Sequence, residues 1–386
     1  MPRLLFAEKA LLIAAITLLL IRRLLAGGNR KRPQIAGGKA VGPLRQWVES
    51  GGEATHWPKN YERLGHVVSV KFATPAELVA FAPHAARFAA AFVPPVLVVV
   101  ADTAGVSGEL RLPSMRTLFC DRERCVDELR GMAALLRKRA MALHHKRLAP
   151  AVHDCTERFF LSPDELGDLA MSAPTFTTHI ENGVRFSFDC AQVMFSSGNA
   201  KARIHFGTAV EATNEVVLDM FAGIGYFTIP LAVGSNCRSV IALEKNPRSA
   251  HFLWANAVQN HVGHKVVVLV GDNRAVGEAY VGECDRVLMG YIPECAPFLP
   301  RALAFLRKDS ASGHPRGVLH YHFLADKPAA RTVLAADVDA ALAAVFPDAR
   351  PRYDVTDLRL VKSFAPKRFH YIADVSFPTA CASSIA

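Results

Sequence analysis

One acid, two glycines and an aromatic residue fall within seven positions, Asp219-Met220-Phe221-Ala222-Gly223-Ile224-Gly225. The apolar run Val216-Val217-Leu218 precedes them and Tyr226-Phe227 follows. An apolar strand that ends in an acid, passes through small residues and enters a helix is how a parallel sheet receives a nucleotide. The glycines let backbone approach the ligand, and the helix N-terminus faces it. No GKS/T run follows and no lysine sits near the helix start, so a phosphate guest would lack its counter-charge. Glu244, 25 positions beyond Asp219, ends a second apolar run and can accept both ribose hydroxyls of an adenosine. NAD would use the same acid, but Thr228 stands where the third glycine of a dinucleotide loop belongs. A third apolar run ends in Gly271-Asp272-Asn273-Arg274. Asp272 or Asn273 can bond the exocyclic amine of an adenine; as the alternative, Asp272 caps the next helix.

These positions describe a site for an adenosyl group without phosphates, and S-adenosyl-L-methionine fits that description. A fourth apolar run ends in Met289-Gly290-Tyr291-Ile292-Pro293-Glu294, the loop that faces the reacting end of such a ligand. Amino-group methyltransferases often carry Asn-Pro-Pro-Tyr there; this loop has no Asn, which disfavours simple N-methylation. No general base stands out. His320 and His322 lie near a fifth strand end, where a structural role is the favoured reading.

The elements that must position these residues follow from periodicity. Strands are expected at Val216–Asp219, Val240–Leu243, Val266–Val270, Arg286–Met289 and Gly317–Tyr321, with helices such as Pro247–Asn260 between them. That alternation predicts an α/β fold, a Rossmann-like domain over 191–380 whose open parallel sheet has helices on both faces. Upstream, the end of the run Tyr61–Phe72 alternates like a strand, Val96–Val100 reads as a buried strand and Pro75–Phe92 as helical. Thr177–Asp189 reads as a hairpin with Glu181-Asn182-Gly183 at the turn. A small α+β domain over 57–190 is expected, with an insertion near 120–165. Within that insertion Arg137, Lys138, Arg139, His144, His145, Lys146 and Arg147 form a basic run, either a nucleic-acid patch or a solvated helix face.

The chain has 386 residues, 51% hydrophobic and 21% charged, which describes a globular protein rather than a disordered one. Its 45 Lys+Arg against 35 Asp+Glu leave a net charge of +10, which suits a polyanionic partner. None of its eight cysteines forms a CxxC pair, so free thiols in a reducing compartment are expected and no metal is. Residues 1–35 are hydrophobic and basic. Ala10–Ile21 is apolar apart from Thr17, and Arg22-Arg23 follow, before a linker at 27–38. A spanning helix needs roughly 20 apolar residues. A helix packed on the body of the protein is the favoured reading of this segment. An organelle presequence and a membrane anchor through residues 10–26 are the alternatives. The expected location is accordingly cytoplasmic, with a mitochondrial or membrane-associated location as the alternatives.

Six runs occur in order: Met194-Phe195-Ser196-Ser197-Gly198-Asn199, Asp219 to Phe227, Gly271 to Arg274, Gly290 to Pro293, Leu319-His320-Tyr321-His322, and Val361-Lys362-Ser363-Phe364-Ala365-Pro366. Over about residues 57–376 the chain resembles the tRNA wybutosine-synthesizing protein 2 family. These are aminocarboxypropyltransferases acting on tRNA-Phe, related to the tRNA guanine-37 N1-methyltransferases. The Ser-Ser-Gly-Asn and Gly-Asp-Asn-Arg runs favour the former. The resemblance implies transfer of a 3-amino-3-carboxypropyl group from S-adenosyl-L-methionine to 4-demethylwyosine at position 37, in the anticodon loop. It implies cofactor contacts from Ser196, Arg203, Glu244, Asp272 and Asn273, which join Asp219, Phe221, Gly223 and Gly225 of the first ligand loop as the nine expected cofactor-binding residues. Arg203 stands where the family usually has Lys and is expected to hold the methionyl carboxylate. Lys362, Lys367 and Arg368 are candidates for phosphate contact. Tyr291 and Glu294 depart from the family's smaller residues. The competing readings are guanine-37 N1-methylation and a non-catalytic, membrane-tethered RNA-binding protein.

Overall fold

The computed structural model describes residues 42–144, 158–195, 197–348 and 351–378. The N-terminal segment 1–35, the linker at 27–38, and His145, Lys146 and Arg147 of the basic run therefore lie outside the described residues. Helix α1 (Pro43–Glu49) leads into a four-stranded sheet. Its strands are β1 (Asn60–Leu64), β2 (Val67–Lys71), β3 (Val98–Ser107) and β4 (Leu112–Cys120), hydrogen-bonded in that order. Helices α2 (Pro75–Phe81) and α3 (Ala85–Ala90) connect β2 to β3. The single helix expected over 75–92 is thus two, joined by a 3₁₀ turn at Ala82–His84. Pro83 has no N–H to donate within a continuing α-helix, which accounts for the break. The strand expected at Val96–Val100 begins at Val98 and continues to Ser107, forming a long hairpin with β4.

Helix α4 (Arg122–His144) fills much of the expected insertion. Its residues Cys125, Leu129, Ala133, Leu136 and Ala140 are buried at spacings of four, four, three and four, one stripe of a 3.6-residue helix. Helix α5 (Pro163–Met171) starts in a capping box between Ser162 and Glu165. The hairpin of β5 (Phe176–Glu181) and β6 (Val184–Asp189) turns at Asn182 and Gly183 with φ of 48° and 79°. Two successive positive φ values mark a type I′ turn, the one matched to strand twist.

After helix α6 (Ala200–Thr208) come β7 (Val216–Asp219), α7 (Thr228–Gly234), β8 (Ser239–Glu244), α8 (Pro247–Gln259), β9 (Val266–Val270) and β10 (Arg286–Met289). Then follow α9 (Leu299–Phe305), the short β11 (Arg307–Lys308), β12 (Pro315–Ala325), α10 (Ala330–Val345), β13 (Asp354–Ala365) and β14 (Arg368–Phe377). The sheet order is β13-β14-β12-β10-β7-β8-β9. It is parallel from β9 to β12, as the alternation implied. It then closes on an antiparallel hairpin, β13–β14, that the sequence reading did not foresee. Successive residues of the inner strands go to opposite faces. Val217, Val240, Ala242, Val266, Val268 and Leu288 join the core against α8, and Val216, Leu218, Ile241, Leu243, Val267 and Val287 join the core against α9 and α10. Burial on both faces is why these strands read as unbroken apolar runs. The first core extends without interruption from Leu64 and Val98 through α4 to Leu253 and Ile372.

Helices α6 and α7 cross where two glycines meet: a Cβ on Gly234 would lie 1.9 Å from the Gly207 carbonyl oxygen. Gly234→Ala should therefore cost about 1–3 kcal/mol or more in chemical denaturation. Gly131→Ala, in the interior of α4 with nothing within 4 Å of its added Cβ, should instead stabilise by about 0.5–1 kcal/mol.

Candidate active site

The carboxyl ends of β7, β8, β9 and β10 open on a cavity of about 400 Å³, within the usual range for small-molecule sites. One wall is the loop after β7. Gly223 lines it with φ of 57°, and a Cβ there would strike the Tyr226 ring at 2.7 Å. This is a position where only bare backbone fits and a ligand can approach it closely. Asp219 is fully buried beneath the loop. Its carboxylate accepts from the Phe221 N–H at 3.2 Å and the Thr228 hydroxyl at 2.8 Å, and burial pushes its pKa up to about 6. Glu244 lines the cavity and accepts from the Gly223 N–H at 2.6 Å and the Asn246 N–H at 2.8 Å. Burial pushes its carboxyl up to about 7 despite those bonds. The Asn256 side chain donates to Ile224 O at 2.9 Å and accepts from the Ser187 N–H at 2.6 Å, tying the loop to the β5–β6 hairpin.

The far wall carries Asp272 and Asn273. The Asn273 side-chain N–H donates to Met220 O at 2.9 Å, while its Oδ1 is buried with no partner. Asp272 pairs with Arg274 at 2.6 Å and with Lys245 at 3.1 Å. Hydrogen bonds from Arg274 hold its carboxyl far below the usual carboxylate range. Phe221 stacks on Tyr291 with centroids 4.9 Å apart and planes at 20°, and Phe298 meets Phe221 edge-on at 5.0 Å. At the other end Asn199, His322, Lys362, Phe364 and His370 line the cavity. His370 and His322 are linked at 3.1 Å. Burial, reinforced by Lys362, lowers His370 to about 4, and burial lowers His322 well below its ordinary value, so both imidazoles are neutral at pH 7.

Of the nine residues expected to hold a cofactor, Phe221, Gly223, Glu244, Asp272 and Asn273 line this cavity. Ser196 lies outside the described residues. Asp219 is under the loop rather than in the wall. Gly225, at φ of 93°, is required by packing, since a Cβ there would meet Ile229 at 2.5 Å and Leu253 at 2.8 Å. Arg203 departs most from expectation. It is 1% exposed, and its guanidinium forms a two-pronged pair with Glu181 at 2.7 and 2.8 Å and sits over the Phe195 ring at 4.8 Å. That bidentate geometry occupies the fork a ligand carboxylate would need. His320 is structural, held between Asp374 at 2.6 Å and Arg286 at 2.8 Å.

Sequence reasoning missed the tip of the β3–β4 hairpin, which supplies Glu109, Leu110 and Arg111 to the cavity. Glu109 pairs with Lys245 at 2.6 Å, and Leu110 O accepts from Asn246 at 3.1 Å. Arg111 donates to Ile292 O and lies 5.1 Å over the Tyr291 ring. Gly105 and Gly108, between two runs of strand-forming residues, were the available signal. It also left His322 and His370 unassigned as wall residues, and a partner strand fifty residues away leaves no local trace. Among the described residues His205, Asp357 and Asp374 place ligand-type atoms within 4.8 Å of one another, but Arg359 already bonds both carboxylates.

The residues present fit an adenosyl co-substrate. Glu244 offers a carboxylate for ribose, Asn273 Oδ1 an unmet acceptor for an amine, and Phe221 an aromatic face. Asn199 Oδ1 is a second unmet acceptor at the opposite end.

Comparison with known proteins identifies the family. The TRM5/TYW2 methyltransferase domain matches residues 177–337. The tRNA(Phe) (4-demethylwyosine(37)-C(7)) aminocarboxypropyltransferase of Methanocaldococcus jannaschii is 36% identical over 211 residues, 53% of this chain and 76% of that protein. The Pyrococcus horikoshii protein of the same name is 38% identical over 157 residues, 40% of this chain and 52% of that protein. The crystal structure of P. horikoshii TYW2 in complex with MeSAdo shares the fold, with a TM-score of 0.58 over 86% of this chain and 97% of that one at 22% identity. An identity above one third, sustained across three quarters of the M. jannaschii enzyme, is what a shared ancestor with that enzyme leaves, and this chain belongs to the TYW2 family.

Proposed function

We propose that this protein transfers the 3-amino-3-carboxypropyl group of S-adenosyl-L-methionine to 4-demethylwyosine at position 37 of tRNA-Phe. The observation that carries this reading is the match to the M. jannaschii aminocarboxypropyltransferase over 76% of that enzyme's length. The co-substrate supplies an electrophilic γ-carbon on a sulfonium. In the transfer the bond from that carbon to sulfur breaks and its electron pair leaves with methylthioadenosine. A new bond joins the γ-carbon to C7 of the base, and the C7 proton is released.

The chain's own task is orientation, since holding reactants at near-attack distance accounts for several kcal/mol of a barrier. Glu244 accepts the ribose hydroxyls, Asn273 Oδ1 meets the adenine amine, and Phe221 and the bare backbone at Gly223 support the adenosine. Tyr291 and Ile292, in the loop after β10, face the reacting end. The target base leaves its stack to enter. Phe364, half-exposed at the cavity on β13, offers it an aromatic face, while Lys367 and Arg368 in the β13–β14 turn meet backbone phosphates. The alternative, guanine-37 N1-methylation, would use the same adenosine contacts but release S-adenosylhomocysteine. The proposed location is cytoplasmic. Among the described residues no helix is long and apolar enough to cross a membrane.

Incubating the full chain with S-adenosyl-L-methionine and tRNA-Phe carrying 4-demethylwyosine should yield methylthioadenosine in step with modified tRNA. Release of S-adenosylhomocysteine instead would assign the protein to methylation. The pH dependence of binding tests the ribose contact. Glu244 ionises at about 7, and only its carboxylate can accept two hydroxyl donors. Affinity for S-adenosyl-L-methionine should therefore fall as pH drops through 7, and Glu244→Gln should bind more weakly with that slope removed. Titration calorimetry from pH 5.5 to 8.5 reads both, and an identical slope in wild type and variant would remove Glu244 from the ribose.

A further inference from the structure

The transfer described above leaves a proton to be taken from C7, and the carboxylates that line the cavity are engaged elsewhere. Glu109 is paired with Lys245, and Asp272 with Lys245 and Arg274. Glu244 accepts two backbone N–H groups beneath the glycine loop. Among the described lining residues, the uncharged basic nitrogens are those of His322 on β12 and His370 on β14. His322 Cε1 lies 4.0 Å from where a Cβ on Gly290 would be, so its ring borders the loop after β10. Phe227 meets that ring edge-on with centroids 5.1 Å apart. His370 is the ladder partner of Lys362, two positions before Phe364, the aromatic face offered to the entering base. The two rings thus stand between the loop that faces the reacting end and the strand beside which the base enters.

His370 Nε2 and His322 Nδ1 are 3.1 Å apart. Each neutral imidazole carries one proton on one of its two nitrogens. A hydrogen bond between the rings needs a proton on one of the facing nitrogens and none on the other. The donating ring therefore has a bare outer nitrogen, and the accepting ring has a protonated one. Either tautomer presents one base and one N–H outward. The outer nitrogens, His322 Nε2 and His370 Nδ1, hold no hydrogen-bond partner among the described residues. We propose that His322 and His370 form a proton relay that takes up the C7 proton of the target base. This rests on the aminocarboxypropyl transfer proposed above and names the residues that complete it. Once the γ-carbon has joined C7 and methylthioadenosine has left, C7 carries both hydrogen and the new group, and the ring system is cationic. The bare outer nitrogen takes that hydrogen as a proton, and the C–H electron pair restores the aromatic ring. The proton shared between the rings shifts across, and the outer N–H of the second ring passes its proton to water. Burial makes both rings weak bases, with Lys362 reinforcing it at His370 and His320 and Arg359 adding to it at His322 against the opposing pull of Asp374. A weak base suffices here, because a cationic ring carbon that regains aromaticity is a far stronger acid than an imidazolium. Low affinity also lets the pair hand the proton on and return to neutral.

The test follows the C7 hydrogen itself. The full-length wild type, a variant carrying both His322→Asn and His370→Asn, and Lys362→Met are each turned over once on tRNA-Phe whose 4-demethylwyosine carries hydrogen or deuterium at C7. The double variant should form modified tRNA about a hundredfold more slowly than the wild type while binding S-adenosyl-L-methionine with similar affinity. It should also show a larger deuterium isotope effect, because loss of the C7 proton then limits the reaction. An isotope effect is a ratio of rates, so it does not depend on how much of a variant folds. The same effect in the wild type and the double variant would overturn the inference at any rate and leave the two histidines as packing groups. A larger effect in Lys362→Met alone would also overturn it, by assigning the proton to the lysine. Product analysis keeps this apart from the reading beneath it. Methylthioadenosine with an unchanged isotope effect sinks the relay alone, whereas S-adenosylhomocysteine sinks the transfer.

Discussion

Two carboxylates at the ends of adjacent strands, Asp219 fully buried and Glu244 half-buried at the cavity wall, hold the loop on which the candidate site is built. Asp219 closes β7 and Glu244 closes β8, and each accepts a backbone N–H from the same short segment, from Phe221 and Gly223 respectively. Burying a carboxylate is costly unless donors compensate it, and leaving turn N–H groups unmet is costly too. Each problem answers the other here. The loop can therefore pass through positive φ at Gly223 and Gly225 and still be fixed. The compensation is incomplete, as the raised pKa of both acids shows, and that leaves Glu244 near its titration point at physiological pH. A donor-rich guest completes what the loop leaves undone.

The cavity is also a composite. The N-terminal sheet sends the β3–β4 tip across to the loops after β8 and β10, where it makes an ion pair, a hydrogen bond from the Asn246 side chain to Leu110 O and a cation–π contact. Individually such exposed or half-exposed contacts contribute little. Their value is geometric, since they place Arg111 against the carbonyl of Ile292 and so brace the loop after β10. Helix α4 secures the same arrangement from below, because its buried stripe joins the core shared with α8. The small sheet is thereby part of the site's wall.

The parallel strands and the loops after them were legible because both rest on local pattern: four-residue apolar runs, an acid at the end, glycine where backbone must approach. The type I′ hairpin at Asn182-Gly183 was legible for the same reason. What escaped was long-range. Arg203 looks like a ligand-binding cation until β5 delivers Glu181 to it across 22 residues. Lys362, read from the sequence as a candidate phosphate contact, reaches the cavity only because β13 pairs with β14 and β14 with β12. The break at Pro83 was visible in the sequence and outweighed by the apolar spacing around it. Position along the chain gave the residue types correctly, but which opposite charge each one meets is decided by topology.

Charge pairing then decides which lining groups keep unmet capacity. The chain Glu109–Lys245–Asp272–Arg274 neutralises itself along one rim, and Arg203 is quenched by Glu181. Among the described lining residues, buried acceptors without a partner remain at Asn273 Oδ1 toward one end and Asn199 Oδ1 toward the other, while the Tyr291 ring already meets Phe221 and Arg111. The fold thus leaves the two ends of the cavity with acceptors to spare and closes its rim with its own charges.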